Sequence, residues 1–402
     1  MSDRRPMLRP RVTPPRGALS LVVAMFAVSG TASGPTAAAQ PIGWPARLTR
    51  GLDRLAQRVP PVLRINNAGG ANDPEVLRVR RCEPAGLGLV LEIEPPEAQA
   101  HAKAKSPAAT MHLLFVSFPA AQTAHGGAEP GGAPTVPDRL TPRDVRLGVR
   151  WTLYEPAGSP RGLIVHLGGN RYVRQALRKA GWAVLSSDGT GRYFARRRDP
   201  QVFSLAGETE VPEVARRIAA IIDDELADWP YSLEAVLAYL GRHRPDLPQQ
   251  PAGIMGFSVG ALGLPAVVRR MPEHFGAAVI VAGGADLLRI SATSHKRNPG
   301  IVLRKDGGPL PAALWAALDR AYLRHAALDP YNAAAALHGK PTLVVCGRFD
   351  QVVPAATGDL LYGRLGRPER LVYPVGHRQL LRTIMRFQAQ RLADWTQTAL
   401  KR

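Results

Sequence analysis

The sequence predicts an α/β fold in which a doubly wound, mostly parallel sheet is covered by helices on both faces. From about residue 141, apolar runs alternate with segments that have helical periodicity. The runs "GLIVHLGG" (162–169) and "FGAAVIVAGG" (275–284) are apolar throughout, which is typical of parallel strands buried on both faces. Strand and helix patterns repeat up to a closing helix at 380–400, so we expect one large α/β domain over 141–402.

The elements of this domain are predicted in chain order. A first strand, "RLGVRWTLYEP" (146–156), alternates apolar and polar residues as a half-buried strand does. Continuous apolar runs predict core strands at 162–169, 182–191, 252–256, 275–284, 341–347 and 370–376. Helical periodicity falls at 171–181, 210–229, 232–243, 259–271 and 380–400.

One stretch, 291–332, interrupts the alternation. It contains a polar, glycine-bearing segment followed by the helical "AALWAALDRAYLRHAAL" (312–328). Because it falls between two core strands, we predict a cap-like insertion over the carboxyl edge of the sheet. The alternative is an ordinary surface helix with a long loop, although loops of this length are uncommon without a role.

The N-terminus is typical of an export signal over residues 1–39. Five arginines precede the 11-residue apolar run 18–28, and Ala37 and Ala39 form a small-residue cleavage site. The apolar run is too short to span a bilayer comfortably. We therefore expect a periplasmic or secreted protein, with a basic tail as the alternative.

Residues 40–140 predict a small, irregular, β-rich region. Strand-like runs occur at 75–83, 87–95 and 111–119, and they are separated by tracts rich in alanine and proline. The tract 120–139 has the composition of a linker.

The charge of the chain is strongly basic, at +20, and arginine supplies most of it. The densest cluster is "RYFARRR" (192–198), but no nucleic-acid-binding motif accompanies it. We expect no nucleic-acid partner and interpret the excess as a basic face that can contact an anionic envelope surface.

The sequence predicts neither a metal nor a cofactor. Cys82 and Cys346 are too few for a metal framework, and whether they pair is open. No H-E-x-x-H or Walker A pattern occurs, and "DGTGRYF" has too few glycines for a dinucleotide fingerprint.

A candidate nucleophile stands in "PAGIMGFSVGALGLP" (251–265). Ser258 lies between Gly256 and Gly260, after an apolar strand and before a helical run. A serine hydroxyl needs a neighbouring base, which in turn needs an orienting carboxylate. A tight turn from strand to helix, flanked by small residues, exposes the hydroxyl for such chemistry.

The carboxylate and the base are predicted downstream, each after a strand. "PTLVVCGRFDQVVP" supplies Asp350, and "RLVYPVGHRQLL" supplies His377 before the final helix. The order serine, aspartate, histidine is one of the known orders for this chemistry. Asp286 in "VAGGADLL" is an alternative acid, while the run Asp223–Glu225 is interpreted as a solvated helix face.

Residues from about 146 to 400 resemble the α/β-hydrolases, on the evidence of "GFSVG", "CGRFDQVVP", "VGHRQLL" and "VHLGGN". The resemblance implies that Ser258 is the nucleophile, His377 the general base and then acid, and Asp350 its orienting group. It also implies an oxyanion hole built from the N–H of Val259 and a second N–H, from Gly168 as first choice or from Gly169. We interpret His166, in the same loop, as structural.

These features favour an exported serine hydrolase, similar to carboxylesterases and lipases, that cleaves a small-molecule or polymeric ester through an acyl-enzyme on Ser258. A non-catalytic envelope protein on a hydrolase scaffold is an alternative, because fold alone does not fix function. A serine peptidase of the prolyl-oligopeptidase type is another, but the roughly 100 residues after the signal are too few for a propeller with blades of about 40 residues.

Overall fold

The computed structural model describes residues 52–53, 56–57, 59–65, 75–85, 88–94, 109–117, 139–140, 147–187, 201–247, 252–294 and 301–401. The predicted export signal, most of the predicted linker and the arginine cluster 192–198 lie outside these residues. Fifteen strands occur in the described part: β1 (Val62–Ile65), β2 (Glu75–Ala85), β3 (Gly88–Ile93), β4 (Ala109–Ser117), β5 (Arg139–Leu140), β6 (Leu147–Tyr154), β7 (Leu163–Leu167), β8 (Ala183–Ser187), β9 (Gln201–Ser204), β10 (Ala252–Phe257), β11 (Phe275–Val281), β12 (Ile301–Lys305), β13 (Gly308–Pro309), β14 (Thr342–Gly347) and β15 (Glu369–Tyr373).

Twelve of these strands form one sheet, in the order β15-β14-β11-β10-β7-β8-β6-β4-β3-β2-β1-β5. The pairs from β8 through β7, β10, β11 and β14 to β15 are all parallel. The direction in which strands are added reverses within this half. β8 lies on one side of β7, and β10, β11, β14 and β15 follow in chain order on its other side. The predicted mostly parallel sheet is confirmed.

The other half of the sheet is antiparallel. β6 pairs with β8 on one side and β4 on the other, and β3 and β2 continue the ladder. The strands before residue 140 therefore extend the same sheet as the α/β domain. Side chains on both faces of these strands are fully buried, with Phe115 in the main core and Leu91 in a separate cluster on the opposite face.

Helices cover both faces of the parallel half. The helices used below are α1 (Arg171–Lys179), α2 (Val211–Leu226), α3 (Asp228–His243), α4 (Val259–Arg270), α5 (Leu287–Thr293), α6 (Ala312–His325), α7 (Pro330–Ala333), α8 (Ala355–Arg364), α9 (His377–Gln379) and α10 (Met385–Ala399).

The continuous apolar runs occur in strands of the parallel half because helices cover both faces of the sheet. On β7, Val165 joins the core under α3 and α4, while Ile164 joins the core under α1 and α10. Successive side chains of a strand point to opposite faces, so both must be apolar when both faces are covered. The sequence pattern and the layering thus have one cause.

A second hydrophobic core belongs to a cap-like unit. β9 pairs in parallel with β12, and β13 completes a three-stranded sheet. Helices α2 and α6 share a buried cluster with this sheet that includes Phe203, Ile218, Leu318 and Tyr322. The predicted insertion 291–332 supplies β12, β13 and α6, whereas β9 and α2 come from the segment before the candidate nucleophile.

Candidate active site

Ser258 lies on the sharp turn between β10 and α4. Its φ is 53° and its ψ is −118°, so it occupies a region of backbone space that non-glycine residues rarely adopt. Its N–H donates to the carbonyl of Val281 on the neighbouring strand at 2.9 Å, which fixes the turn. Such a conformation costs on the order of 1–3 kcal/mol and persists only where the surroundings impose it.

Three glycines make room for this turn. A Cβ added to Gly256 would lie 2.6 Å from the carbonyl oxygen of Gly260, and one added to Gly168 would lie 2.6 Å from that of Phe257. A Cβ on Gly260 would collide with the backbone carbonyl of Leu167. The G-x-S-x-G pattern therefore reflects close backbone approach as well as the turn itself.

Gly260→Ala is expected to destabilise the protein by about 3 kcal/mol, because two backbone segments would have to separate. The matched control is Gly241→Ala on α3, where an added Cβ meets no atom within 4 Å. That change is expected to raise the free energy of unfolding by up to about 1 kcal/mol through helix propensity. Urea denaturation of both variants measures the difference, and equal effects would contradict the packing argument.

The structure brings Ser258, His377 and Asp350 together. The Oγ of Ser258 lies 2.8 Å from Nε2 of His377, and Nδ1 of His377 lies 2.7 Å from Oδ2 of Asp350. The histidine side chain is 12% exposed and that of the aspartate 4%. Three residues that are distant in the chain thus form one continuous hydrogen-bonded line.

The loop after β14 holds the carboxylate in place. Oδ1 of Asp350 accepts hydrogen bonds from the N–H groups of Val352 and Val353, both at 2.9 Å. Oδ2 is thereby directed at the imidazole. When Nδ1–H donates to this carboxylate, Nε2 carries the lone pair that accepts the Ser258 proton. The arrangement is chemically able to activate the hydroxyl as a nucleophile.

The backbone N–H groups predicted to bind an oxyanion belong to the start of α4 and to the loop after β7. Val259 is the first residue of α4, and the first N–H groups of a helix have no partner within it. The N–H of Gly168, the residue that we prefer as the second oxyanion donor, donates to the Oγ of Ser187 at 3.3 Å. Gly169 is the next residue of the same loop, with a φ of 43°. Val259, Gly168 and Gly169 stay predictions as oxyanion donors.

Two residues that contact or belong to this loop and that sequence reasoning passed over are Ser187, at the end of β8, and Asn170. Ser187 is fully buried at the end of β8, where its hydroxyl meets the Gly168 N–H. Asn170 caps α1 by accepting from the N–H groups of Tyr172 and Val173, and its Nδ2 donates to the carbonyl of Leu381 at 3.0 Å. The signal available in the sequence was a polar pair, Ser186 and Ser187, ending an apolar strand.

His166 lies on β7, just before this loop, and its contacts are structural. It is fully buried, its Nδ1 lies 3.3 Å from the hydroxyl of Ser186, and its Nε2 accepts from the N–H of Asn170 at 3.4 Å. Burial, and secondarily the charge of Arg174, lower the pKa of His166 to about 3. The imidazole is therefore neutral throughout the physiological range and anchors the loop.

The alternative acid, Asp286, lies in a different network. It caps α5 by accepting from the N–H of Arg289 at 3.0 Å, and Arg289 also pairs with Asp319 of α6. The buried carboxyl of Asp286 is 3.2 Å from Nε of Arg289. Burial, followed by the hydrogen bond with Asp319, raises the pKa of Asp286. The carboxylate that contacts His377 belongs to Asp350.

This network predicts a pH dependence of stability. Because the pKa of Asp286 is higher in the folded state than in the unfolded state, the folded protein retains a proton that the unfolded chain releases. The resulting stabilisation is complete below pH ~4 and is lost as the pH rises toward the folded-state pKa. We expect the melting temperature of Asp286→Asn to rise relative to that of the wild type between pH 5 and pH 8. A difference that is constant or falls over this range contradicts the assignment.

The acidic run Asp223–Glu225 is not simply a solvated face. The carboxylate of Asp223 accepts from the N–H groups of Ala327 and Leu328, both at 2.9 Å, and so ties α2 to the segment after α6. Burial raises its pKa to about 6, against the opposing effect of these two hydrogen bonds. The sequence pattern showed the charge but not the partner, which lies about a hundred residues away.

Metal ligands do not cluster in the described part of the chain, where no group of three or more histidine, cysteine, aspartate or glutamate side chains is placed to hold an ion. Cys82 and Cys346 are both free thiols. Burial raises the pKa of Cys82 to about 12. None of the helices in the described residues is both long and apolar enough to cross a membrane.

The fold and the site define the class of protein. A mostly parallel sheet that carries a serine at a strand-to-helix turn, then an aspartate and a histidine after later strands, has the α/β-hydrolase architecture. The fold predicted from the sequence is confirmed.

Comparisons with known proteins found similar solved structures. The Pyrococcus furiosus esterase Pf2001 has a TM-score of 0.40 and 16% identity, over 63% of this chain and 88% of that one. Est1E from Butyrivibrio proteoclasticus has a TM-score of 0.41 and 14% identity, over 64% and 96%. The Pyrococcus horikoshii acylaminoacyl peptidase has a TM-score of 0.44 and 15% identity, over 81% and 48%. No family model and no curated protein matches the sequence.

Proposed function

We propose that the protein is a serine hydrolase that cleaves a carboxylic ester through an acyl-enzyme on Ser258. The observation that carries the proposal is the continuous line from Ser258 Oγ to His377 Nε2, at 2.8 Å, and from His377 Nδ1 to Asp350 Oδ2, at 2.7 Å. Both distances lie within hydrogen-bond range, which supports a direct proton transfer from Ser258 to His377 with Asp350 as the orienting carboxylate.

The reaction follows from these positions. Ser258 Oγ attacks the ester carbonyl carbon as its proton moves to Nε2 of His377, and the carbonyl oxygen becomes an oxyanion. The carbon–oxygen bond to the alcohol then breaks, and the imidazolium returns its proton to the leaving oxygen. Asp350 stabilises the imidazolium while it exists. An ester of Ser258 remains.

Deacylation repeats the sequence with water. Water gives a proton to His377 as it attacks the acyl carbon, the bond to Ser258 Oγ breaks, and the serine recovers the proton. We expect backbone N–H groups at the start of α4, that of Val259 first, to stabilise the developing negative charge, which a helix N-terminus also favours. Each cycle consumes one water and releases one acid and one alcohol.

A fluorophosphonate probe tests the proposal directly, because it phosphonylates a serine only when a base activates the hydroxyl. We expect stoichiometric labelling of the folded protein, with the mass increase on the peptide that contains Ser258. Absence of labelling in folded protein would favour a non-catalytic scaffold. A panel of p-nitrophenyl esters of increasing acyl length, run beside a peptide anilide, then separates esterase from peptidase activity.

Export to the periplasm or the medium and contact with an anionic envelope surface stay predictions. Residues 1–39 lie outside the described residues, so the support for export is the charge and hydropathy pattern alone.

A further inference from the structure

A broad groove lies at the far end of α4 from Ser258. It has a volume of about 810 Å³ and is bounded by the C-terminal parts of α4 and α6 and by α7 with the turn that follows. Ser258 precedes Arg269 by eleven helical steps, which places the two ends roughly 16 Å apart along the helix axis. The groove is thus separate from the candidate active site.

The charged side chains that line this groove are basic. Arg269 comes from α4, and Arg320, Arg324 and His325 come from α6, and none of the described residues that line the groove is an aspartate or glutamate. All four side chains are exposed. Some arginines elsewhere on the surface have carboxylate partners, as Arg270 has Glu234 at 2.8 Å.

The nearby carboxylates are committed elsewhere. Asp319 pairs with Arg289, and Asp329 accepts from buried N–H groups and from Tyr322. Asp223, whose carboxylate faces Arg269, is held by the N–H groups after α6. Among the residues that the structure describes, no carboxylate forms an ion pair with Arg320 or Arg324.

The groove also has apolar lining residues, which are Leu323, Tyr331 and the alanines at 333, 335 and 336. The guanidinium of Arg364 lies 4.4 Å from the centroid of the Tyr331 ring and donates to its backbone carbonyl, which fixes the ring. The groove therefore combines apolar and cationic lining residues, as expected for a site that binds an amphiphilic anion.

We propose that this groove binds an organic phosphate monoester, with the phosphate between Arg320 and Arg324 and the apolar part against Tyr331 and the alanines. Guanidinium groups match phosphate oxygens in bidentate geometry, and a dianion compensates two of them where a single carboxylate compensates one. The volume is in the range of small-molecule sites. A free phosphate ester and the headgroup of phosphatidic acid share this chemistry.

Isothermal titration at low salt tests the site with phenyl phosphate, and benzoate serves as the monoanionic comparison. We expect phenyl phosphate to bind the wild type more tightly than benzoate does. The Arg320→Ala/Arg324→Ala double variant should bind phenyl phosphate about tenfold or more weakly. The control Arg391→Ala/Lys401→Ala removes the same charge from exposed positions on and beyond α10, and should bind within about twofold of wild type.

A vesicle arm identifies the source of the phosphate. Sedimentation with phosphatidic acid vesicles, against phosphatidylcholine vesicles, is run on the same three proteins. If the Arg320→Ala/Arg324→Ala variant loses phenyl phosphate binding and the control variant keeps it, the result supports a free ester. If the Arg320→Ala/Arg324→Ala variant loses vesicle binding and the control variant keeps it, the result supports the headgroup. Equal binding by the groove and control variants in both arms, or binding in neither arm, overturns the proposal. No readout uses hydrolysis, so the outcome is independent of the proposed activity.

Discussion

Ser258→Ala is expected to lower kcat for p-nitrophenyl butyrate by about 10⁴-fold or more, because the acyl-enzyme can no longer form. The fold should be unaffected. Alanine and serine have the same Cβ, so the substitution adds no steric cost at the positive φ of 53°. The lost atom is the hydroxyl oxygen, whose partner is Nε2 of His377. Initial rates under saturating ester, with circular dichroism and melting temperature, measure both effects.

The control for this variant is Ser204→Ala, which removes an exposed hydroxyl from β9 of the cap-like unit. It should retain wild-type kcat. If Ser258→Ala kept wild-type turnover while folded, the nucleophile would have to be another group. Labelling by the fluorophosphonate probe should be lost in Ser258→Ala and kept in Ser204→Ala.

The hydrogen-bonded line from Ser258 through His377 to Asp350 could be predicted from the sequence, because each of the three residues lies in a recognisable local sequence pattern. The serine stands between glycines that a tight turn requires, and Asp350 and His377 follow apolar runs that end at the same edge of the sheet. Carboxyl ends of parallel strands meet at one edge, so distance along the chain does not separate such residues in space.

The contacts within the cap-like unit could not be predicted in this way. β9 pairs with β12 across about a hundred residues, and neither strand carries a signal that identifies its partner. Asp223 likewise sits in an acidic run that is typical of a solvated helix, yet its carboxylate binds the N–H groups of Ala327 and Leu328. Periodicity indicates that a face is buried, but not which distant segment covers it.

The hydrogen bond from the Gly168 N–H to the Ser187 hydroxyl could not be predicted from the motif, for a similar reason. The pattern "HLGGN" indicates a loop with backbone donors, while the direction of each N–H depends on hydroxyls that another strand brings to it. The Ser187 hydroxyl at the end of β8 accepts from the Gly168 N–H, while the Ser186 hydroxyl lies 3.3 Å from Nδ1 of His166. We therefore expect Ser187 to influence whether the Gly168 N–H is available to an oxyanion.

Asp350→Asn is expected to lower kcat by about 10³- to 10⁴-fold, whereas Asp286→Asn should retain kcat within about threefold of wild type. An asparagine amide at 350 can donate to Nδ1 of His377, and Nε2 would then carry the proton and could not accept the one from Ser258. The 2.7 Å contact that the carboxylate now makes would hold the wrong tautomer.

The two aspartates form a matched pair, since both are buried after core strands and both accept backbone N–H groups of the following segment. They differ in the partner of the remaining oxygen, which is His377 for Asp350 and Arg289 for Asp286. Asp286→Asn should therefore change the pH dependence of stability and leave kcat intact, and Asp350→Asn should change kcat. A loss of kcat in Asp286→Asn that equals the loss in Asp350→Asn, with both proteins folded, would remove Asp350 from its proposed role.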